Sequence, residues 1–69
     1  MDDNFYKAAI AHWQSERLKA IATLRMLFTK SVGIGEHTEI LTEIHKWTDL
    51  LSQAEENINS LEKYKDKLI

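Results

Sequence analysis

The sequence predicts an all-α protein: an antiparallel two-helix hairpin with helices near 3-31 and 36-67. Three observations lead there. Apolar residues recur at three- and four-residue spacing in both halves of the chain, proline is absent, and the only two glycines stand together near the midpoint in Val32-Gly33-Ile34-Gly35. With 69 residues and 8.0 kDa, the chain reads as a single helical-hairpin domain over 1-69. A composition of 43% hydrophobic and 29% charged residues belongs to a folded chain rather than a disordered one. Cysteine is absent, which excludes disulfides, thiolate-bound zinc and a cysteine nucleophile, the staples and chemistry common in short domains.

The first helix can be capped by Asp2 or Asp3, and nothing before Ser31 obliges the backbone to leave the helical region. Tyr6, Ile10, Trp13, Ala20, Ile21, Leu24, Leu27 and Phe28 are expected on one broad face, with His12, Lys19, Thr23 and Lys30 opposite. Gly33 can then end the helix in a left-handed conformation, Ile34 can supply the accompanying apolar contact, and Gly35-Glu36 can open the next helix.

The second helix repeats more strictly. Ile40, Ile44, Trp47, Leu51, Ala54, Ile58 and Leu61 alternate at four and three, which is heptad spacing. Taking 44, 51, 58 and 65 as a, and 40, 47, 54, 61 and 68 as d, leaves every b, c and f position polar; Lys65 alone violates the seam. If the reversal centres near residue 34, facing positions have numbers adding to about 68, so Phe28 should lie near Ile40, Leu24 near Ile44, Trp47 near Ala20 and Ile21, and Trp13 near Ala54. Each indole then meets an alanine, as an interdigitated core requires. Charge agrees with this pairing, since residues 1 to 32 carry a net +2 and residues 33 to 69 a net −4. At the helix ends, Asp2, Asp3, Glu36 and Glu39 complement the starts and Lys30, Lys63, Lys65 and Lys67 the ends.

Two helices cannot enclose a core, and Leu18, Leu27, Leu41 and Leu50 flank the stripes on their outer edges. A second copy is the most economical cover, giving a homodimeric four-helix bundle. The expected self-association core is Ile10, Trp13, Ile21, Leu24, Phe28, Ile44, Trp47, Leu51 and Ile58, and the candidate partner surface is Leu18, Met26, Leu41 and Tyr64. Arg17 breaks the pattern by occupying an a-type position within the broad face. It reads either as a register-setting salt bridge to Glu55 or an acid of a second protomer, or as an anchor for a partner protein. Trp13 and Trp47 read first as core and second as a binding surface.

No catalytic constellation emerges. The histidines lack the Glu-x-x-His spacing of di-iron bundles and the His-Glu-x-x-His of zinc enzymes; His45 with Asp49 reads as a solvated i, i+4 pair, and His37 as a local polar contact at a helix start. The serines 15, 31, 52 and 60 are scattered outside any Gly-x-Ser-x-Gly elbow, and the Gly-Ile-Gly turn lacks the Lys-Ser/Thr of a phosphate loop. Neither a metal nor a cofactor is expected. A net charge of −2 disfavours nucleic acid as partner, Lys7, Lys19, Arg25 and Lys30 form no compact basic face, and no apolar run reaches the length of a membrane span. Without a basic, apolar leader after Met1, the expected location is the cytoplasm.

The stretch from Ser31 to His37, followed by Glu39-Ile40, Asp49-Leu50-Leu51 and Ala54-Glu55-Glu56, resembles the turn and second helix of small uncharacterised helical-hairpin proteins of tailed bacteriophages. The likeness covers about half the chain and brings no assigned activity. It implies work in an infected bacterium's cytoplasm, on a host or viral protein or within a virion. The functional expectation is therefore a non-enzymatic helical protein that self-associates and binds another protein; the alternatives are a nucleic-acid accessory factor and a small virion component.

Overall fold

Long stretches free of glycine and proline keep the backbone helical, and the computed structural model, which describes residues 3–30 and 37–69, consists almost wholly of helix. Helix α1 spans Asn4–Lys30, α2 spans His37–Lys63 and a single turn, α3, spans Lys65–Leu68. At 27 residues each, α1 and α2 are about 40 Å long. They run antiparallel. The Tyr6 hydroxyl donates to the Leu61 carbonyl at 3.1 Å, Arg17 lies beside Glu55, and Lys19 lies over the Trp47 ring. The molecule is a rod with Cα extents of 55 × 14 × 12 Å. Its radius of gyration is 15.9 Å, where a compact chain of this length would reach about 11 Å.

Burial shows which stripes meet. In α2 the residues withdrawn from solvent from Ile40 to Leu61 are the a and d positions of the heptad, joined only by Asn57. In α1 the matching line is Tyr6, Ile10, Trp13, Arg17, Ala20, Leu24 and Leu27, also spaced by fours and threes, every member buried or half-buried. Pairing the two lines gives seven layers whose residue numbers add to 67 or 68: Leu27 with Ile40, Leu24 with Ile44, Ala20 with Trp47, Arg17 with Leu51, Trp13 with Ala54, Ile10 with Ile58, and Tyr6 with Leu61. The Tyr6 to Leu61 hydrogen bond marks the last layer directly. Ala20 and Ala54, the small members of the two indole layers, are fully buried, and Ile58 is 8% exposed; among the described residues no large side chain is fully buried. A single seam between two helices leaves every larger group touching water on one side.

Three expectations are corrected by this geometry. Leu27, not Phe28, takes the layer facing Ile40, and Phe28 and Ile21 stand outside the seam at 62% and 39% exposure. The stripe of α1 is therefore narrower than its apolar composition suggested, because α2 offers a single two-residue-wide seam and only one α1 line can match it. Thr23, expected opposite, is half-buried beside the seam, its hydroxyl donating to the Lys19 carbonyl at 2.8 Å. The second helix does not run unbroken to residue 67. It stops at Lys63, with Tyr64 at φ −104°, ψ 14°, before the turn of α3. The Tyr6–Leu61 layer is the last between the two long helices, since α1 begins at Asn4, and the lysine at 65 is exposed, its ammonium 5.3 Å from the Tyr6 ring centroid.

The ends are tied locally. The Asp3 carbonyl accepts the Lys7 amide at 3.0 Å while its carboxylate lies 3.5 Å from the Lys7 ammonium. In the last turn of α2, where carbonyls lose their intrahelical partners, Ser60 accepts the Tyr64 amide and Leu61 accepts the Tyr6 hydroxyl. Glu39 and Lys63 occupy the first and last turns of α2, each with the sign the helix dipole favours. The expected reversal at Gly33 and Gly35, with Ile34, the roles of Asp2 and Glu36, and the side chains of Lys30 and His37, lie outside the described residues.

Candidate functional site

With the a and d positions committed to the seam, the remaining apolar side chains are distributed by helical phase. One flank of the hairpin is a polar hollow lined by Gln14, Arg17, Glu55, Asn59 and Glu62, with Ile58 at its floor. Arg17 projects from the seam into it, its Nε 3.9 Å from the Glu55 carboxylate, and the two side chains are 37% and 57% exposed. Leu51, the layer partner of Arg17, offers the guanidinium nothing, so the head group turns to water and to Glu55 while its methylenes stay between the helices. Two heptads from Glu55 along α2 the same flank carries Leu41, and one and two heptads from Gln14 along α1 it carries Ile21 and Phe28.

The opposite flank is an open hollow of about 320 Å³ walled by Trp13, Trp47 and Leu50, with His12, Glu16, Lys19 and Gln53 around it. Two cations lie over the Trp47 ring: Lys46 Nζ is 5.5 Å and Lys19 Nζ 5.8 Å from its centroid. Lys19 is also 3.6 Å from Glu16, and His12 meets Trp13 edge-on at 4.6 Å. Sequence reasoning placed Lys19 and Lys46 on solvated faces and so missed that their stems and ammonium groups roof an indole; the i−1 neighbour of Trp47 was the available clue for Lys46. Only 37% of Leu50 reaches solvent. This flank is already closed in part by its own side chains.

The four residues expected to form one partner surface do not share a face. Leu18 and Leu41 belong with the flank of Ile21 and Phe28, whereas Met26, one heptad from Lys19, and Tyr64, two heptads from Leu50, belong with the indole flank. All four are exposed, at 60%, 53%, 52% and 46%. Of the nine residues expected in the self-association core, Ile10, Trp13, Leu24, Ile44, Trp47, Leu51 and Ile58 line the seam between α1 and α2, and Ile21 and Phe28 face outward.

No family model, curated protein or solved structure matches this chain. Its chemistry is therefore read from its own side chains. Among the described residues no group of three histidines or carboxylates converges on a metal-sized space, no helix is long and apolar enough to cross a membrane, and no buried polar atom lacks a partner. What the described surface does offer is apolar area.

Proposed function

We propose that this chain is a non-enzymatic helical interaction protein that self-associates and, in that form, binds another protein. The observation carrying the reading is the amount of surface. The chain exposes 5574 Å², whereas a folded monomer of its mass exposes about 4,450 Å². The surplus accompanies the 55 × 14 × 12 Å rod shape, and the exposed surface includes large side chains that a finished fold would cover, among them Leu18, Met26, Phe28 and Leu41, each more than half exposed. An excess of roughly 1,100 Å² is comparable to the area of about 800 Å² that one partner contributes to a specific protein interface. A seam without any fully buried large side chain also leaves an isolated hairpin of this length marginal, so assembly supplies stability as well as function.

The resemblance of residues 31 to 56 to small phage hairpins fits a role as a modulator of a host or viral protein in bacterial cytoplasm. The deciding experiment is light scattering on the gel-filtered protein at micromolar concentration. A mass at least twice 8.0 kDa is expected; a stable, cooperatively unfolding monomer overturns the proposal.

A further inference from the structure

The helix α1 has a second face. Once Tyr6, Ile10, Trp13, Arg17, Ala20, Leu24 and Leu27 are assigned to the seam, the positions on the side turned away from α2 read Ala8, Ala11, Ser15, Leu18, Ala22, Arg25 and Thr29, again spaced by threes and fours and all exposed. Along one edge of this line run Gln14, Ile21 and Phe28. Together they make a stripe about 100° wide, the width of a core-facing helix surface. Between residues 8 and 29 its only charge is Arg25. The corresponding outer positions of α2, such as His45, Asp49, Ser52, Glu56 and Asn59, are polar, with Leu41 the one apolar exception, at the edge. A surface intended for water would not be composed so differently on two helices of one rod.

We infer that this outer face of α1 receives α1 of a second copy of the chain, the two helices packing antiparallel about a twofold axis close to Leu18. The inference rests on the self-association proposed above and names its surface. Three observations select a second copy. The rod as a whole exposes roughly 1,100 Å² more than a compact monomer of its mass, against about 800 Å² for one half of a specific interface, and a homodimer is the commonest closed assembly. The stripe is self-complementary on either side of its centre: an antiparallel pair centred on Leu18 sets Phe28 across from Ala8, Arg25 across from Ala11 and Ile21 across from Ser15, large against small, with the two Leu18 side chains meeting at the axis. Small residues at alternate turns also let two helix backbones approach toward the lower end of the 8–10 Å packing range. The Arg25 stem can then lie over the opposite Ala11 while its guanidinium stays at the rim.

In this arrangement the two α1 helices form the centre, the two α2 helices lie outside, and both indole hollows remain open for the other protein. Seam residues such as Trp13, Trp47 and Ile58 take no part in the contact between copies.

The test uses the full chain and its lack of cysteine. Sedimentation equilibrium should show that Leu18→Glu weakens association at least tenfold with helix content retained, while Met26→Glu, on the indole flank, changes it less than threefold. Because a charge at residue 18 could unfold a chain that depends on assembly, Leu18→Cys provides the second readout. A short bismaleimide should join its thiol to the same position of the other copy, and should not do so for Met26→Cys. Acrylamide quenching of Trp13 and Trp47 should be unchanged on dilution through dissociation. A dimer that cross-links as Met26→Cys and not as Leu18→Cys, or that shields its tryptophans, overturns this inference and leaves self-association standing. A monomeric wild type overturns both.

Discussion

Ala20 and Ala54 have no exposed surface because each sits in a layer with a tryptophan, and a helix pair can close over an indole only where the facing side chain ends at Cβ. Ala20→Leu or Ala54→Leu is expected to cost about 1–3 kcal/mol by overpacking, a fall of roughly 4–8 °C in melting temperature per kcal/mol for a chain this small. Ser60→Leu, at an exposed position of the same helix, should stay within about 0.5 kcal/mol, and thermal melting followed by circular dichroism compares them. Arg17 shows the opposite economy. With both partners well exposed, its pair with Glu55 is worth no more than about 1 kcal/mol, so Glu55→Gln should shift the urea midpoint only slightly. Arg17→Leu completes the apolar seam against Leu51. We expect a hairpin at least as stable by urea titration but mixed in mass on gel filtration, since the one polar seam position that penalises other registers is gone. A single unchanged species would deny Arg17 any role in register.

At the level of elements, the hairpin is bounded where α1 runs out rather than where helix propensity fails. The Tyr6 hydroxyl and the Leu61 carbonyl close the last layer, and Lys65 Nζ lies 5.3 Å from the Tyr6 ring centroid beyond it. Tyr6→Phe should cost about 0.5–1.5 kcal/mol and should appear as lost amide protection confined to the first turn of α1 and the last turn of α2 in hydrogen exchange. Deleting residues 65–69 removes a turn with no buried residue and one cation–π contact, so the remaining helices should lose less than about 1 kcal/mol. A larger loss in the deletion than in Tyr6→Phe would mean that α3 supports the seam in a way its exposure does not show.

For the whole molecule, the shortage is of interior. Among the described residues a 55 Å rod two helices wide buries two alanines and most of one isoleucine, and its larger apolar groups wait for a cover. If a second copy supplies it, stability is linked to concentration by mass action, and the melting temperature should climb steadily over a hundredfold range of protein concentration. A concentration-independent melting temperature would assign the exposed area to a different partner. The rod carries two unlike flanks, one with lysines over Trp47 and the other a polar hollow around Arg17 and Glu55, while the outer face of α1 is nearly uncharged.

By itself the sequence determined the all-helical character, the antiparallel pairing of two near-equal helices, and the entire seam of α2. There the b, c and f positions are polar without exception, so only one stripe could be buried. It also set Leu24 against Ile44, Ala20 against Trp47 and Trp13 against Ala54, because equal helices joined by a short glycine-containing segment have little freedom to slide, but it put Phe28 where Leu27 faces Ile40. What only the tertiary structure decided was which stripe of α1 meets α2. Apolar and small residues occur on several sides of that helix, and an isolated helix is indifferent to the choice. Both the line through Tyr6, Trp13, Ala20 and Leu27 and the one through Lys7, Gln14, Ile21 and Phe28 keep heptad phase with α2, and both pass through Arg17; the first is the one buried, and it sets no lysine or glutamine against the α2 seam and gives each indole an alanine. The stripe left over is the surface from which the proposed assembly is built.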